Sequence, residues 1–203
     1  MQFDFSELKP LDRHKLLSST ITPRPIAWVT TVASDGVRNA APFSFFNVFS
    51  EDPPVVGFSI VDRSAGDNKD TGRNIRMSGQ FVVNLVDEDR LDQMNITAAE
   101  FAPEIDEFSR SGLAEEASVT IAAPRIAESP VSMECVLHSI VPLGVSRSLI
   151  LGTVQMMHIR DDMLIDPVRF HVDTQKLRLV ARAQGNTYVR TTDAFELPRI
   201  SAT

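Results

Sequence analysis

The sequence has little cysteine: Cys135 is the only one among 203 residues. A single thiol excludes an internal disulfide, and it excludes zinc and iron–sulfur sites built from several cysteines. Cys135 lies in an apolar strand pattern, which predicts an inert buried thiol; the alternative is a reactive thiol. The four histidines are far apart in the chain, which favours ordinary strand or surface residues over metal ligands: His14, His138, His158 and His171.

Long apolar runs and the common nucleotide motifs are also missing. No window approaches the roughly 20 apolar residues of a membrane helix, and no cationic stretch followed by an apolar run opens the chain. We therefore expect a soluble cytoplasmic protein. The sequence has no P-loop, no G-x-G-x-x-G and no G-x-S-x-G, so a Rossmann site and a hydrolase nucleophile elbow are not indicated.

Positive charge is scarce, because the formal net charge is −7. A broad nucleic-acid-binding surface is therefore excluded, since such surfaces are basic. An anionic cofactor remains compatible with this charge if a local cluster of cations opposes the overall field. A length near 200 residues predicts one domain over residues 1–203.

Short β-branched runs bounded by turn residues dominate the chain and predict strands. The pattern is clearest at residues 131–141, where apolar and polar side chains alternate as in a half-buried strand. The predicted strands cover residues 26–32, 55–60, 81–86, 131–141 and 149–159, with a weaker one at 176–181.

Helical signals are fewer. Asp70 or Thr71 can cap a helix that passes through Ile75 and stops near Gly79. Two further short helices are expected at residues 87–95 and 11–17. Six strands, few helices and no regular β-α alternation predict a mainly β fold, a closed or nearly closed antiparallel barrel.

An acidic segment at residues 100–116 interrupts this pattern. Phe101, Pro103 and Phe108 are interspersed among its carboxylates. It is interpreted as a surface excursion or lid, and the alternative is a solvated connecting loop.

Two segments are suited to a phosphate. Arg24 stands between Pro23 and Pro25, which fix the backbone and reduce the entropy lost when a guanidinium grips an anion. Lys69, Asp70 and Thr71 lie at a predicted helix start, where N–H groups, the helix dipole and an ammonium group together attract anions. The competing interpretations are an exposed arginine and a plainly capped helix.

Two other segments are suited to a planar ring. Residues 39–47 (NAAPFSFFN) are uncharged and form an expected loop, in which Ser44, Phe45 and Asn47 combine polar and aromatic groups. Core packing alone would also explain the phenylalanines. Tyr188, the only tyrosine, follows Gly185 near the C-terminus and is expected either to close over a ring or to anchor the tail.

Taken in order, these segments resemble the flavin reductase-like, or flavoredoxin-like, family. The resemblance runs from about Leu16 to Arg190. It is carried by Pro23-Arg24-Pro25, NAAPFSFFN at 39–47, Asp52-Pro53-Pro54, Lys69-Asp70-Thr71, Arg73-Asn74-Ile75, Phe81-Val82-Val83-Asn84-Leu85, and Gly185-Asn186 before Tyr188. Gly72 departs from it, since many relatives carry a larger apolar residue there.

The resemblance implies a split β-barrel that binds FMN non-covalently, as a homodimer with the flavin near the subunit interface. It implies backbone contacts to the flavin from the strand around Thr30 and Thr31 and from the loop containing Ser44, Phe45 and Asn47. It also implies that Arg24, Lys69, Asp70 and Thr71 hold the phosphate and that Tyr188 lies near the ring.

The resemblance further implies hydride transfer from NAD(P)H to the flavin, with the chemistry carried by the cofactor and no catalytic side chain. The acceptor of the electrons is left open. Two alternatives stay open as well: a non-catalytic module that holds flavin or a tetrapyrrole, and a flavin-dependent oxidase of small amines. The scattered histidines make haem the less attractive ligand.

Overall fold

The computed structural model describes residues 1–62 and 68–200, and this part of the chain is mainly antiparallel β-structure with short helices. Its strands are β1 (Ala27–Val32), β2 (Arg38–Phe43), β3 (Phe46–Glu51), β4 (Pro54–Val61), β5 (Gln80–Asn84), β6 (Glu115–Glu116), β7 (Arg125–Ile126), β8 (Val131–Pro142), β9 (Arg147–Ile159), β10 (Leu164–Asp166), β11 (His171–Val172), β12 (Val180–Arg182) and β13 (Tyr188–Arg190). Its helices are α1 (Pro10–Thr20), α2 (Asp70–Ser78), α3 (Leu91–Ile96) and α4 (Glu107–Ser111), with 3₁₀ turns at Glu88–Arg90 and Asp161–Met163.

Seven strands form one sheet in the order β2-β1-β5-β8-β9-β4-β3. All neighbouring pairs in it are antiparallel. The edge strands β2 and β3 are consecutive in the chain, with only Ser44 and Phe45 between them, so the sheet curls to bring its edges to this turn. Within the described residues no ladder joins β2 to β3, and the barrel is therefore open along that line.

Alternation along β1 places its side chains in two different buried apolar clusters. Ala27 and Val29 face the barrel centre with Phe58, Phe81 and other buried residues. Trp28 faces the opposite side, where Met94 and Phe108 from the helices cover it and its indole N–H donates to Thr97 Oγ1 at 2.9 Å. The period-two pattern of a strand thus provides both faces.

The strongest predicted strands are confirmed, since β1, β4, β5, β8 and β9 coincide with the five main runs. The weaker run at 176–181 is wrong in its first half, because Lys176 and Leu177 lie in a turn and the strand is Val180–Arg182.

The expectation of a loop at residues 39–47 is wrong. This stretch forms most of β2, the Ser44–Phe45 turn and the start of β3. Ala and Pro have low strand propensity, but Pro42 lies on an edge strand, where a missing N–H is tolerated.

The helices agree with the sequence more closely than their caps do. Helix α1 is longer than expected, and the 87–95 stretch divides into a 3₁₀ turn and α3. In α2 the N-cap position belongs to Lys69, so the expected cap at Asp70 or Thr71 is wrong, while Gly79 ends the helix in the left-handed conformation with φ 68°. The acidic segment at 100–116 is exposed from Ala102 to Ile105 but contributes buried Glu107 and Phe108 through α4.

Candidate functional site

Two adjoining cavities lie beside the Ser44–Phe45 turn. The first, the Arg24 cavity, encloses about 460 Å³ and is lined by His14, Ser18, Arg24, Ile26, Ser44, Phe45, Met94, Arg182, Ala183, Gly185, Asn186 and Tyr188. The second, the Lys69 corner, encloses about 110 Å³ and includes Lys69, Asp70, Thr71, Glu100 and Glu107. Pro42 and Ala98 line both, so the two cavities are neighbours, and together they are called the groove.

Arg24 is a structural anchor at this groove. One terminal nitrogen donates to Ser18 O at 2.5 Å and Ile21 O at 2.8 Å, and the other donates to Ala183 O at 2.8 Å. Burial, with nearby Arg182, lowers the pKa of its guanidinium. The prediction that Arg24 and Lys69 grip one phosphate stays a prediction; these Arg24 donors serve backbone carbonyls, and the two cations line different cavities.

The Lys69 corner is built on the N-terminus of α2. The Arg73 N–H is the first to bond back along the helix, to Lys69 O at 2.9 Å, so the N–H groups of Thr71 and Gly72 are not used within α2. The Lys69 ammonium lies 3.2 Å from the Glu100 carboxylate, and the Asp70 carboxylate accepts a bond from Arg73. An ammonium group and helix N–H groups together favour an anion.

A buried polar network supports this corner from below. Thr71 Oγ1 donates to Asn39 Oδ1 at 2.7 Å, and Asn74 Nδ2 donates to Thr31 Oγ1 at 3.0 Å. Thr31 also bonds Asn39 Oδ1, at 3.3 Å, so α2 is tied to β1 and β2. These bonds position the first turn of the helix.

Glu107 completes the network from α4. Its Oε2 accepts the Ala40 N–H at 2.6 Å and a bond from the Asn39 amide. Burial raises the pKa of Glu107 to about 7, and the nearby carboxylates of Asp70 and Asp106 act in the same direction. A carboxyl group that titrates near neutrality therefore lines the corner.

Thr30 and Thr31 do not reach the groove. Both are fully buried. Thr30 Oγ1 donates to Pro124 O at 2.5 Å and accepts from Asn84, while Thr31 belongs to the network beneath α2. Strand β1 also pairs with β2 on one side and β5 on the other, which occupies its backbone at Thr30. Thr30 and Thr31 line neither cavity, and the ligand contacts expected from this strand stay a prediction.

Phe45 is held by charged and aromatic neighbours. Arg24 and Arg147 approach its ring centroid at 5.7 Å and 5.5 Å, and the His14 ring stacks on it at 5.9 Å. Ser44 lies beside it on the cavity wall. Asn47 is placed apart from them, on β3, where it is exposed and lines neighbouring pockets instead of the groove.

Tyr188 lines the Arg24 cavity and lies on β13. The Arg182 guanidinium covers its ring at 4.5 Å from the centroid and donates to its hydroxyl group. The pair comes from the two strands of one hairpin, β12 and β13. Tyr188 thus lines the groove together with an arginine that sequence reasoning missed, and its position beside a flavin ring stays a prediction.

Sequence reasoning also missed His14 and Glu107 as groove residues. Glu107 had a detectable signal only as one carboxylate in an acidic segment, and its burial depends on packing between α4 and β2. His14 carried no signal, because its place in the groove depends on α1 lying beside the Ser44–Phe45 turn.

Two general properties concern the described residues as a whole: membrane-spanning helices and metal-binding clusters. Over residues 1–62 and 68–200, no helix has the length and apolar character needed to cross a bilayer. The same residues contain no group of three or more His, Cys, Asp or Glu side chains arranged to hold a metal ion.

Cys135 is buried, and burial raises the pKa of its thiol to about 12, which agrees with the predicted inert thiol.

Comparisons with known proteins extend these observations. Residues 18–176 match the model of the flavin reductase like domain. The structure resembles 2-nitrobenzoate 2-nitroreductase NbaA of Pseudomonas fluorescens, with a TM-score of 0.91 and 33% identity, covering 99% of this chain and 97% of that one. It resembles nitrilotriacetate monooxygenase component B of Bacillus cereus equally well, with a TM-score of 0.91 and 34% identity, covering 97% and 98%.

A more distant structure supports the fold. A protein of Shewanella frigidimarina NCIMB 400, described as a candidate flavin reductase with a split barrel domain, matches with a TM-score of 0.83. Its identity is 20%, and the match covers 98% of this chain and 100% of that one. The open seven-stranded barrel and the family match agree, and the chain therefore belongs to the flavin reductase like domain family, with the split-barrel fold.

Proposed function

We propose that this chain binds FMN non-covalently in the groove and acts as an NAD(P)H-dependent flavin reductase or flavoredoxin-like electron carrier. The family to which it belongs is a flavin-binding one, and the proposal assigns the ligand, its orientation and the reductant. The isoalloxazine ring occupies the Arg24 cavity, and the phosphate occupies the Lys69 corner.

The shape of the groove is the observation that carries this assignment. Its larger part encloses about 460 Å³, within the range of roughly 300–1,000 Å³ typical of small-molecule sites, and it contains the aromatic side chains Phe45 and Tyr188. Its smaller part offers Lys69 and the start of α2. A planar ring joined by a short chain to an anion fits this pair of cavities, and the donor set suits a phosphate.

Bound FMN supplies the hydride-accepting centre, while the protein supplies binding and orientation. Lys69 and the N–H group of Thr71 hold the phosphate. Phe45 and Tyr188 line the cavity that holds the ring. Arg24 acts indirectly in this proposal, because it ties the end of α1 to Ala183 and thereby holds the wall of the ring cavity.

The names of two relatives point to different electron acceptors. One is a reductase of 2-nitrobenzoate, and the other is a component of a monooxygenase. In our interpretation both names describe flavin-linked electron transfer, but they do not describe the same electron acceptor. The proposal therefore names no acceptor.

We also propose a homodimer. An apolar groove of about 580 Å³ runs along β3 and β4 to β12 and is lined by residues that include Pro23, Val48, Val55, Met157 and Leu179. Val48 is 66% exposed and Met157 is 51% exposed, which is unusual for large apolar side chains that cluster on one face. Sedimentation of the purified protein tests this, and a monomer at micromolar concentration would contradict it.

Absorbance and mass spectra of the purified protein test the cofactor assignment. Flavin absorption bands and the mass of FMN are expected in the denatured supernatant, whereas a Soret band would favour a tetrapyrrole. Anaerobic titration with NADH and then NADPH tests the reductant, and bleaching of the flavin band is the expected result. Bleaching by a small amine with peroxide release, and not by either nicotinamide, would favour the oxidase alternative.

A further inference from the structure

Glu107 lies at the phosphate end of the groove without an obvious task there. It is 7% exposed and lines the Lys69 corner together with Lys69, Asp70 and Thr71. A carboxylate is a poor neighbour for a phosphate, since like charges repel in a partly buried site. Its bonding role toward β2 needs only one oxygen, because the bonds from Ala40 and Asn39 both run to Oε2.

The charged groups around Glu107 come from α2, β2, β6, the start of α4 and the loop after α3. On α2, Asp70 is paired with Arg73; at the start of α4, Asp106 is paired with Arg38 of β2 at 2.7 Å. In the loop after α3, Glu100 is paired with Lys69 at 3.2 Å, and in β6, Glu115 is paired with Arg38 at 2.8 Å. Each neighbouring carboxylate therefore has a cation within reach, whereas Glu107 is bonded to neutral groups.

We propose, on the basis of the function proposed above, that Glu107 takes up a proton when the phosphate of FMN enters the Lys69 corner. The negative charge of the phosphate repels the charged form of Glu107, so this carboxylate binds a proton. The proton resides on Oε1, while Oε2 keeps its bonds to Ala40 and Asn39. Neutral Glu107 preserves the network that positions Thr71 and adds no repulsion. FMN binding is thus coupled to protonation of one buried carboxyl group.

The sign of the coupling follows from linkage. Glu107 already titrates near neutrality in the unliganded protein, where burial raises its pKa to about 7. A bound dianion raises it further, so the complex holds more protons than its separated components above that pH, and affinity falls as pH rises. The phosphate has its second pKa near 6, so it stays dianionic over the range in which affinity is expected to fall.

The test measures the dissociation constants of FMN and riboflavin between about pH 7 and pH 8.5. Wild-type affinity for FMN is expected to fall about fivefold to tenfold over this range. Riboflavin, which lacks the phosphate, is expected to show no such fall, and it controls for His14 and other groups near the ring. In the Glu107→Gln variant, the FMN dissociation constant is expected to change less than about twofold between about pH 7 and pH 8.5. Glu104→Gln is the matched control, because it removes the same charge from an exposed position in the same segment.

Calorimetry of the wild-type protein in two buffers of different ionisation enthalpy provides a readout that needs no variant. Uptake of a substantial fraction of one proton per FMN near pH 7.5, and none with riboflavin, is the expected result. Tight FMN binding with no proton uptake, or with the same pH dependence in Glu107→Gln as in Glu104→Gln, would overturn this inference alone. Failure of FMN to bind at any pH would overturn the proposed function as well.

Discussion

Removal of the Lys69 ammonium is expected to weaken binding of FMN and to leave binding of riboflavin nearly unchanged. A charge-assisted hydrogen bond to a phosphate contributes about 1.5–3 kcal/mol. The Lys69 side chain is 39% exposed and must first give up Glu100, so the lower end of that range applies. Lys69→Ala should therefore raise the FMN dissociation constant about tenfold.

Quenching of flavin fluorescence on titration with apoprotein measures both ligands under the same conditions. Lys176→Ala serves as the control, since Lys176 is also a partly exposed lysine near a carboxylate, Asp162, and lines neither cavity. The reasoning is refuted if Lys69→Ala binds FMN as tightly as the control does. It is equally refuted if FMN and riboflavin are weakened by the same factor, because the effect would then not involve the phosphate.

Three further changes test the same contacts. Glu100→Gln should strengthen FMN binding by up to about fivefold in titrations, since it releases Lys69 from an exposed pair, and weaker binding would argue against competition. Arg24→Ala should destabilise the protein by roughly 2–4 kcal/mol in urea unfolding, because three carbonyls lose their donor, and should weaken FMN and riboflavin alike. Glu134 is buried, and hydrogen bonds from Val119, Thr120 and His158 lower its pKa to about 2. The charged Glu134 stabilises the fold by about 3 kcal/mol above the ordinary pKa of a glutamate, and this stabilisation is lost as pH falls toward 2. Glu134→Gln should therefore have a lower free energy of unfolding at pH 7, and its free energy of unfolding should depend less on pH in acid. Equal stability of the two proteins at pH 7 would contradict this.

The main strands and α2 could be predicted from the sequence because their signals are local. Phe81, Val82 and Val83 favour a strand wherever they lie, and Gly79 ends a helix through its own backbone freedom. Strands β2 and β3 could not be predicted in this way. Their residues 39–47 have weak strand propensity, and they become strands because the edges of the sheet pair with β1 and β4.

The site was predictable to a similar extent. Lys69 and Thr71 lie at a helix start, which is visible in the sequence, and the structure brings them to a cavity. The role of Arg24 was not visible, since it depends on Ala183, 159 residues away in the chain. Flanking prolines restrict the backbone of an arginine but do not determine which oxygens its guanidinium meets.

The same limit applies to Glu107 and Arg182. Their neighbours Asn39 and Tyr188 were singled out for their residue types, yet the carboxylate and the guanidinium acquire their functions only through packing. Charge in an acidic chain says little about which carboxylate is buried. Burial depends on the tertiary structure, which local sequence patterns do not specify.

A crystal structure of the protein with FMN tests the central claim most directly. We expect phosphate oxygens within about 3 Å of Lys69 Nζ and of the Thr71 N–H, with the ring beside Phe45 and Tyr188. A phosphate bound beside Arg182 and Gly185, and away from Lys69, would contradict this prediction.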